Sequence, residues 1–139
     1  MRAEASRELL AARADVWGFL AEPYHLSDWW PGVSGVQPDR RGFAPGARWQ
    51  VQGTRWTNPL TGRRPSSQLL LIRTIEPLER WAWHLVNDRL DVEVRLRATA
   101  PDRTLATVAV EGSWLVGARH ALPRVAVERL HALVQTAAA

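Results

Sequence analysis

From Asp91 to Ala98 the chain alternates without a break. Val92, Val94, Leu96 and Ala98 share one parity, and Asp91, Glu93, Arg95 and Arg97 the other. A period of two with one apolar and one charged face describes an antiparallel strand whose single dry side lies against a core. Similar segments fill the middle of the chain. Val33–Gln37, Ala47–Gly53, Gln68–Glu76, Arg80–Val86 and Thr104–Glu111 all read as strands, and residues 2–10 as another, with Ala3, Ala5 and Leu9 on one parity. Turn residues punctuate them: Asp39-Arg40-Arg41-Gly42 and Pro45-Gly46, then Pro77, Asn87-Asp88 and Pro101-Asp102. Residues 57–67, with Asn58, Pro59, Gly62 and Pro65, form the longest loop.

Helical periods flank this run. Asp15 sits in the first turn of a helix whose apolar face is Val16, Trp17, Phe19 and Leu20, and Pro23 ends it. Tyr24 to Asp28 reads as a second short helical segment, closed by Pro31-Gly32. At the C-terminal end Leu122, Ala126, Leu130, Leu133 and Ala137 recur at helical spacing. Arg124, Glu128, His131 and Gln135 lie opposite, and Pro123 falls in the first turn, where a helix tolerates it. The apolar stripe needs a sheet to lie on. The expected architecture is α+β: a curved antiparallel sheet of six to seven strands wrapped around a long C-terminal helix, with two short helices after the first strand. At 139 residues, one domain spans 1–139.

Eight tryptophans in a chain without cysteine or lysine shape the functional reading. Trp81 and Trp83 share parity with Leu85, and Trp49 shares it with Ala47 and Val51, so these indoles face inward. Trp29 and Trp30 stand where they can close one end. Each indole taken singly is more simply core filling. Together they constrain one another: a core this rich in indole either strands N–H groups or leaves room beside them. The candidate ligand-binding set is therefore Trp29, Trp30, Trp49, Leu70, Ile72, Trp81, Trp83, Val94, Leu122, Ala126 and Leu130. Candidate polar anchors are His25, Asp28 and Arg73. The ordinary reading of each is a surface or turn-capping residue, and Arg73 is expected to point outward. His84 has the outward parity of Arg80 and Ala82. Leu69 to Ile72 is apolar on both parities, which suggests that one face is covered by the 57–67 loop or by a partner chain, and in an interaction module this strand would be the docking edge.

Several classes are excluded. The net charge of +4 comes from eighteen arginines dispersed among fourteen acids, so no basic stripe tracks phosphates and nucleic acid is not an expected partner. No apolar run approaches the ~20 residues that span a bilayer. The first ten residues lack a signal-like apolar stretch, which points to a cytoplasmic protein. No metal-ligand spacing, phosphate-binding loop or activated nucleophile is present, so no metal, cofactor or catalytic residue is assigned. Gly112-Ser113 has no partner that would activate it.

The segment Ala12-Arg13-Ala14-Asp15-Val16-Trp17-Gly18-Phe19-Leu20, followed by Leu26-Ser27-Asp28-Trp29-Trp30-Pro31-Gly32-Val33, resembles the opening of the START-like (SRPBCC) superfamily of helix-grip proteins. The polyketide cyclase/dehydrase-like branch is the nearest group. Gly46-Ala47-Arg48-Trp49, the hairpin from Glu76 to Trp83 and the final helix extend the likeness over nearly the whole chain. The resemblance implies a pocket for a small hydrophobic molecule, aromatic, polyketide-like or lipid-like, between the long helix and the sheet. It carries over no catalytic residue, since fold and activity are separable. A cyclase or dehydratase acting by substrate positioning is the alternative, and a protein-interaction module with a filled core the third reading. Either a monomer or a homodimer suits such a chain.

Overall fold

The computed structural model describes residues 1–53, 67–112 and 120–137. Seven strands form one antiparallel sheet: β1 (Arg2–Leu9), β2 (Val33–Gln37), β3 (Arg48–Gly53), β4 (Ser67–Glu76), β5 (Arg80–Leu85), β6 (Leu90–Ala100) and β7 (Arg103–Glu111). Their spatial order is β1-β7-β6-β5-β4-β3-β2. From β2 to β7 the chain is a meander of neighbours, and β1 closes the far side against β7. Between β1 and β2 lie α1 (Arg13–Ala21), a 3-10 turn (Pro23–His25) and α2 (Leu26–Trp29); α3 (Leu122–Ala137) follows the sheet.

The turns are where the sequence put them. Pro77 opens the β4–β5 turn, in which Leu78 takes a left-handed φ of 67°; Arg89 does the same at 51° in the β5–β6 turn. Non-glycine residues tolerate this region at a cost, and a tight hairpin imposes it. Gly32, at φ 82°, lets the chain reverse from α2 into β2. α1 begins two residues before Asp15, because Ala12 supplies the first carbonyl, accepting from Asp15 N at 3.0 Å and Val16 N at 3.1 Å.

Two expectations are corrected by the topology. Leu69–Ile72 is no edge: β4 pairs with β3 on one side and β5 on the other, with Leu70 opposite both Trp49 and Leu85. Its second apolar parity, Leu69 and Leu71, is half-buried on the outer face. The buried stripe of α3 also differs from the one expected. It runs Leu122, Ala126, Val127, Leu130 and Val134, while Leu133 is only partly buried. Two neighbouring helical ridges contribute because the helix rests on a sheet rather than on a single seam. The side chain of Ala137 lies outside the described residues, as do residues 57–66 of the expected 57–67 loop, whose last residue, Ser67, instead opens β4.

The inner face of the sheet is graded by side-chain size, and that gradient places α3. In one row across the strands, Ile72, Trp83, Val92, Val110 and Ala3 stand side by side. The next row is Ile75, Trp81, Val94, Val108 and Ala5. From β5 onward bulk falls, from tryptophan through valine to alanine on β1. α3 packs over β1 and β7, where alanine and valine leave room for a helix, and Arg7 on β1 pairs with Glu128 on α3 at the rim. That guanidinium bond holds the Glu128 carboxyl below its ordinary range. The indoles occupy the opposite half.

Thr104 is the one buried polar side chain among the described residues, and its hydroxyl donates to the carbonyl of Ala11 at 2.8 Å, tying the start of β7 to the approach to α1. Thr104→Val keeps the shape and strands that carbonyl, so a loss of about 1–2 kcal/mol is expected, read as a lower urea midpoint at unchanged slope.

Candidate functional site

Five of the tryptophans, Trp29, Trp30, Trp49, Trp81 and Trp83, are at most 1% exposed. They converge on the half of the inner face that α3 leaves uncovered. Alternation delivers Trp49, Trp81 and Trp83 from β3 and β5. Trp29 and Trp30 arrive from the other side, on the four-residue α2 and at its C-cap. Trp81 and Trp83 lie 4.3 Å apart, centroid to centroid. Trp29 stands edge-on to Trp83 at 5.9 Å and to Trp81 at 6.2 Å, and Trp30 edge-on to Trp83 at 5.5 Å. Tilted and edge-to-face pairs of this kind are the favourable arrangements for aromatic rings.

Phe43 extends the cluster, and sequence reasoning missed it. Its ring meets Trp17 at 5.6 Å, Trp81 at 5.0 Å and Trp49 at 6.4 Å. The β2–β3 loop that carries it is built on Asp39. One carboxylate oxygen accepts from Arg41 N at 3.0 Å and the other from Arg48 N at 2.9 Å. This loop also presents the carbonyl of Gly42, which accepts the indole N–H of Trp49 at 2.7 Å. An aromatic residue inside a polar, glycine-flanked loop was the available signal.

The other indoles are treated differently. Among the described residues, four buried side-chain nitrogens lack a hydrogen-bond partner: Arg80 Nε, and the Nε1 of Trp29, Trp81 and Trp83. A buried donor left unpaired costs about 1–3 kcal/mol. Three such donors in one cluster of adjoining rings make this the most anomalous polar feature of the core.

Every residue of the candidate binding set is buried in the same apolar cluster. They do not all meet. Leu122, Ala126 and Leu130 lie on α3, which covers β1 and β7, whereas Trp49, Leu70, Ile72, Trp81 and Trp83 belong to β3, β4 and β5. The polar anchors are not gathered there. His25 is half-buried, stacks on Phe19 at 4.2 Å and places its Nδ1 2.8 Å from the Phe19 carbonyl. Asp28 is exposed. Arg73 sits in a bulge of β4, exposed, beside a cleft of about 240 Å³ on the outer face that Arg2, Asp91, Glu93 and Glu111 also line. His84 faces outward as expected, with Nδ1 2.8 Å from Asp91 Oδ1. Trp83 also borders the cleft beside Arg73, whereas a larger one of about 480 Å³, lined by Arg13, Glu76, Arg80, Arg95 and Arg97, has no indole in its lining. Among the described residues no group of three or more His, Asp or Glu is gathered for a metal, and no helix is long and apolar enough to cross a membrane.

With this geometry in hand, comparison with solved structures decides the fold. A START superfamily protein from Mycobacterium smegmatis superposes with a TM-score of 0.72 at 12% identity, covering 98% of each chain. The fold is START-like. An AHSA1-like protein from Aeromonas hydrophila matches at TM-score 0.73 and 14% identity, over 99% of this chain and 94% of that one. DynU16, a protein of the dynemicin biosynthetic locus, matches 98% of this chain with 48% of its own length, at TM-score 0.70 and 17% identity. No family model and no curated protein matches the sequence. The likeness is one of fold.

Two predictions follow from the different hydrogen bonding of these indoles. Trp49→Phe breaks the bond to Gly42 and leaves its carbonyl unpaired, whereas Trp81→Phe removes a donor that has no partner. The first is expected to be the more destabilising by about 1–3 kcal/mol, measured by chemical denaturation of both variants. Equal losses would mean that the orphan donor costs nothing. The second concerns Asp39, whose carboxyl is held below its ordinary 3.8, chiefly by the backbone N–H of Arg48. A depressed carboxylate adds stability above its unfolded pKa and loses it as pH falls through the folded one. Asp39→Asn is therefore expected to flatten the stability profile below pH 3.8, and an unchanged acid limb would contradict this.

Proposed function

We propose that this protein binds a small hydrophobic molecule, aromatic, polyketide-like or lipid-like, between the curved sheet and the elements that cover it. The observation that carries the reading is the trio of partnerless N–H donors on Trp29, Trp81 and Trp83. A core selected only for packing would pair them or use phenylalanine, which fills similar space without a donor. An occupant supplying acceptors makes those donors useful. The START-like fold supports a ligand-binding protein in general, and the graded sheet supports a location over β3, β4 and β5, the half away from α3.

The binding set is then Trp29, Trp30, Trp49, Leu70, Ile72, Trp81, Trp83 and Val94, with Leu122, Ala126 and Leu130 closing the α3 side. A ligand burying ~300 Å² of apolar surface would gain about 7 kcal/mol before the entropic costs of binding. His25, Asp28 and Arg73 lie outside this set, exposed or committed elsewhere.

Catalysis has less support. A cyclase or dehydratase needs a titratable group against its substrate, and among the described residues the only buried polar side chain is Thr104, already bonded to Ala11. The interaction-module reading loses its docking edge, because Leu69–Ile72 is interior.

Native mass spectrometry of the purified protein, followed by solvent extraction, tests the proposal. A stoichiometric organic mass is expected, or, from an empty protein, a saturable change in tryptophan emission with aromatic and lipid ligands. An apo mass with no response across such a panel would contradict it.

A further inference from the structure

We infer that a cleft at a step in the sheet, between the β4–β5 turn and the β6–β7 hairpin, binds the phosphate group of a small organic phosphate ester. The site is separate from the indole cluster and does not depend on what that cluster holds.

The step follows from strand lengths. β5 begins at Arg80, opposite Arg95, and Leu96 N donates to the Glu79 carbonyl at 2.8 Å just past that pair. β6 runs on to Ala100 with β7 beside it, beyond the reach of β5. α1 packs against β6 and β7, and its first residue, Arg13, joins Arg97, Arg80 and Arg95 in lining a cleft of about 480 Å³. A cleft of that volume suits a small molecule rather than a bare ion.

Ion pairing divides the four arginines. Arg80 is held by Glu76 at 3.1 Å and Glu93 at 3.5 Å, and Arg95 by Glu93 at 3.0 Å and Glu4 at 3.3 Å. Among the described residues, Arg13 and Arg97 have no carboxylate partner. Arg13 is also half-buried, so its charge is partly withdrawn from water without a counter-ion. Glu79, the lining carboxylate outside these pairs, is exposed and bonds to neither. A guanidinium presents a planar fork of donors that matches the oxygens of an oxyanion. Two unpaired forks balance a dianion, whereas a single carboxylate leaves one of them uncompensated. A phosphate monoester carries about 1.5 to 2 negative charges at pH 7 and three acceptor oxygens. Leu105, half-buried and opposite Arg97 on β7, offers an apolar surface to the organic part of the ester.

Phenyl phosphate, inorganic phosphate and benzoate, each titrated into the full chain at constant ionic strength and followed by proton–nitrogen correlation spectra, test this. Phenyl phosphate is expected to saturate and to shift the signals of Arg13 and Arg97. It should bind at least about tenfold more tightly than benzoate, and more tightly than inorganic phosphate. Arg13→Gln and Arg97→Gln should each weaken it about tenfold. Arg13→Lys, which keeps the charge and loses the fork, should weaken it less, and Glu79→Gln should tighten it. Arg129→Gln removes the same charge from an exposed position on α3 and should change the affinity by less than about twofold. Arg97 is exposed and unpaired, so its substitution reads binding without disturbing the fold. Equal weakening by Arg129→Gln would reduce the effect to net charge and overturn the inference. Binding that never saturates, or that is no tighter than for benzoate or inorganic phosphate, overturns it as well. No indole lines this cleft, so either result leaves the hydrophobic site to its own test.

Discussion

An N–H group in a dry interior needs an acceptor, and among the described residues three indoles at the inner face of this sheet have none. Around that shortage the rest of the molecule is arranged. Trp49 is satisfied because Asp39 folds the β2–β3 loop so that the Gly42 carbonyl reaches it. Trp29, Trp81 and Trp83 find no such acceptor among the described residues, although they adjoin one another as well as Trp30 and Trp49. A fold that pairs one indole so carefully and leaves its neighbours unpaired gives up stability at one place. Sites that handle ligands are where that is expected.

The size gradient across the sheet explains why the shortage falls where it does. Alanines and valines on β1 and β7 let α3 approach the backbone, and a helix placed there cannot also cover β3 to β5. The bulk comes instead from indoles on β3 and β5, met by two more from α2. Helix packing and aromatic packing thus divide the inner face between them. Solved structures share this fold at 10–17% identity, so the likeness lies in the backbone and little of the sequence is shared.

Much of the fold was legible because period-two alternation is a local signal. Asp91–Ala98, the Trp81–Trp83 parity and the Pro77 turn each specify their geometry within a few residues. The inward direction of Trp49 and the outward direction of Arg73 and His84 were equally plain. What stayed hidden was non-local. Strand order decides whether Leu69–Ile72 is an edge, and nothing within that segment encodes its neighbours. The α3 stripe moved to include Val127 and Val134 because a sheet accepts two ridges where a seam accepts one. Phe43 escaped notice because its partners are Trp17 and Trp81, distant in sequence. The site was half legible: parity showed which indoles turn inward, but only their mutual placement shows which N–H groups lack partners.

The most direct test is the side-chain indole region of a proton–nitrogen correlation spectrum, where each tryptophan gives one N–H signal. On titration with aromatic and lipid ligands the account predicts large shifts for Trp29, Trp81 and Trp83. The Trp49 signal, already bonded to Gly42, should hold nearly still. Movement confined to Trp49, or no response from the three, would contradict the claim that these donors await a ligand.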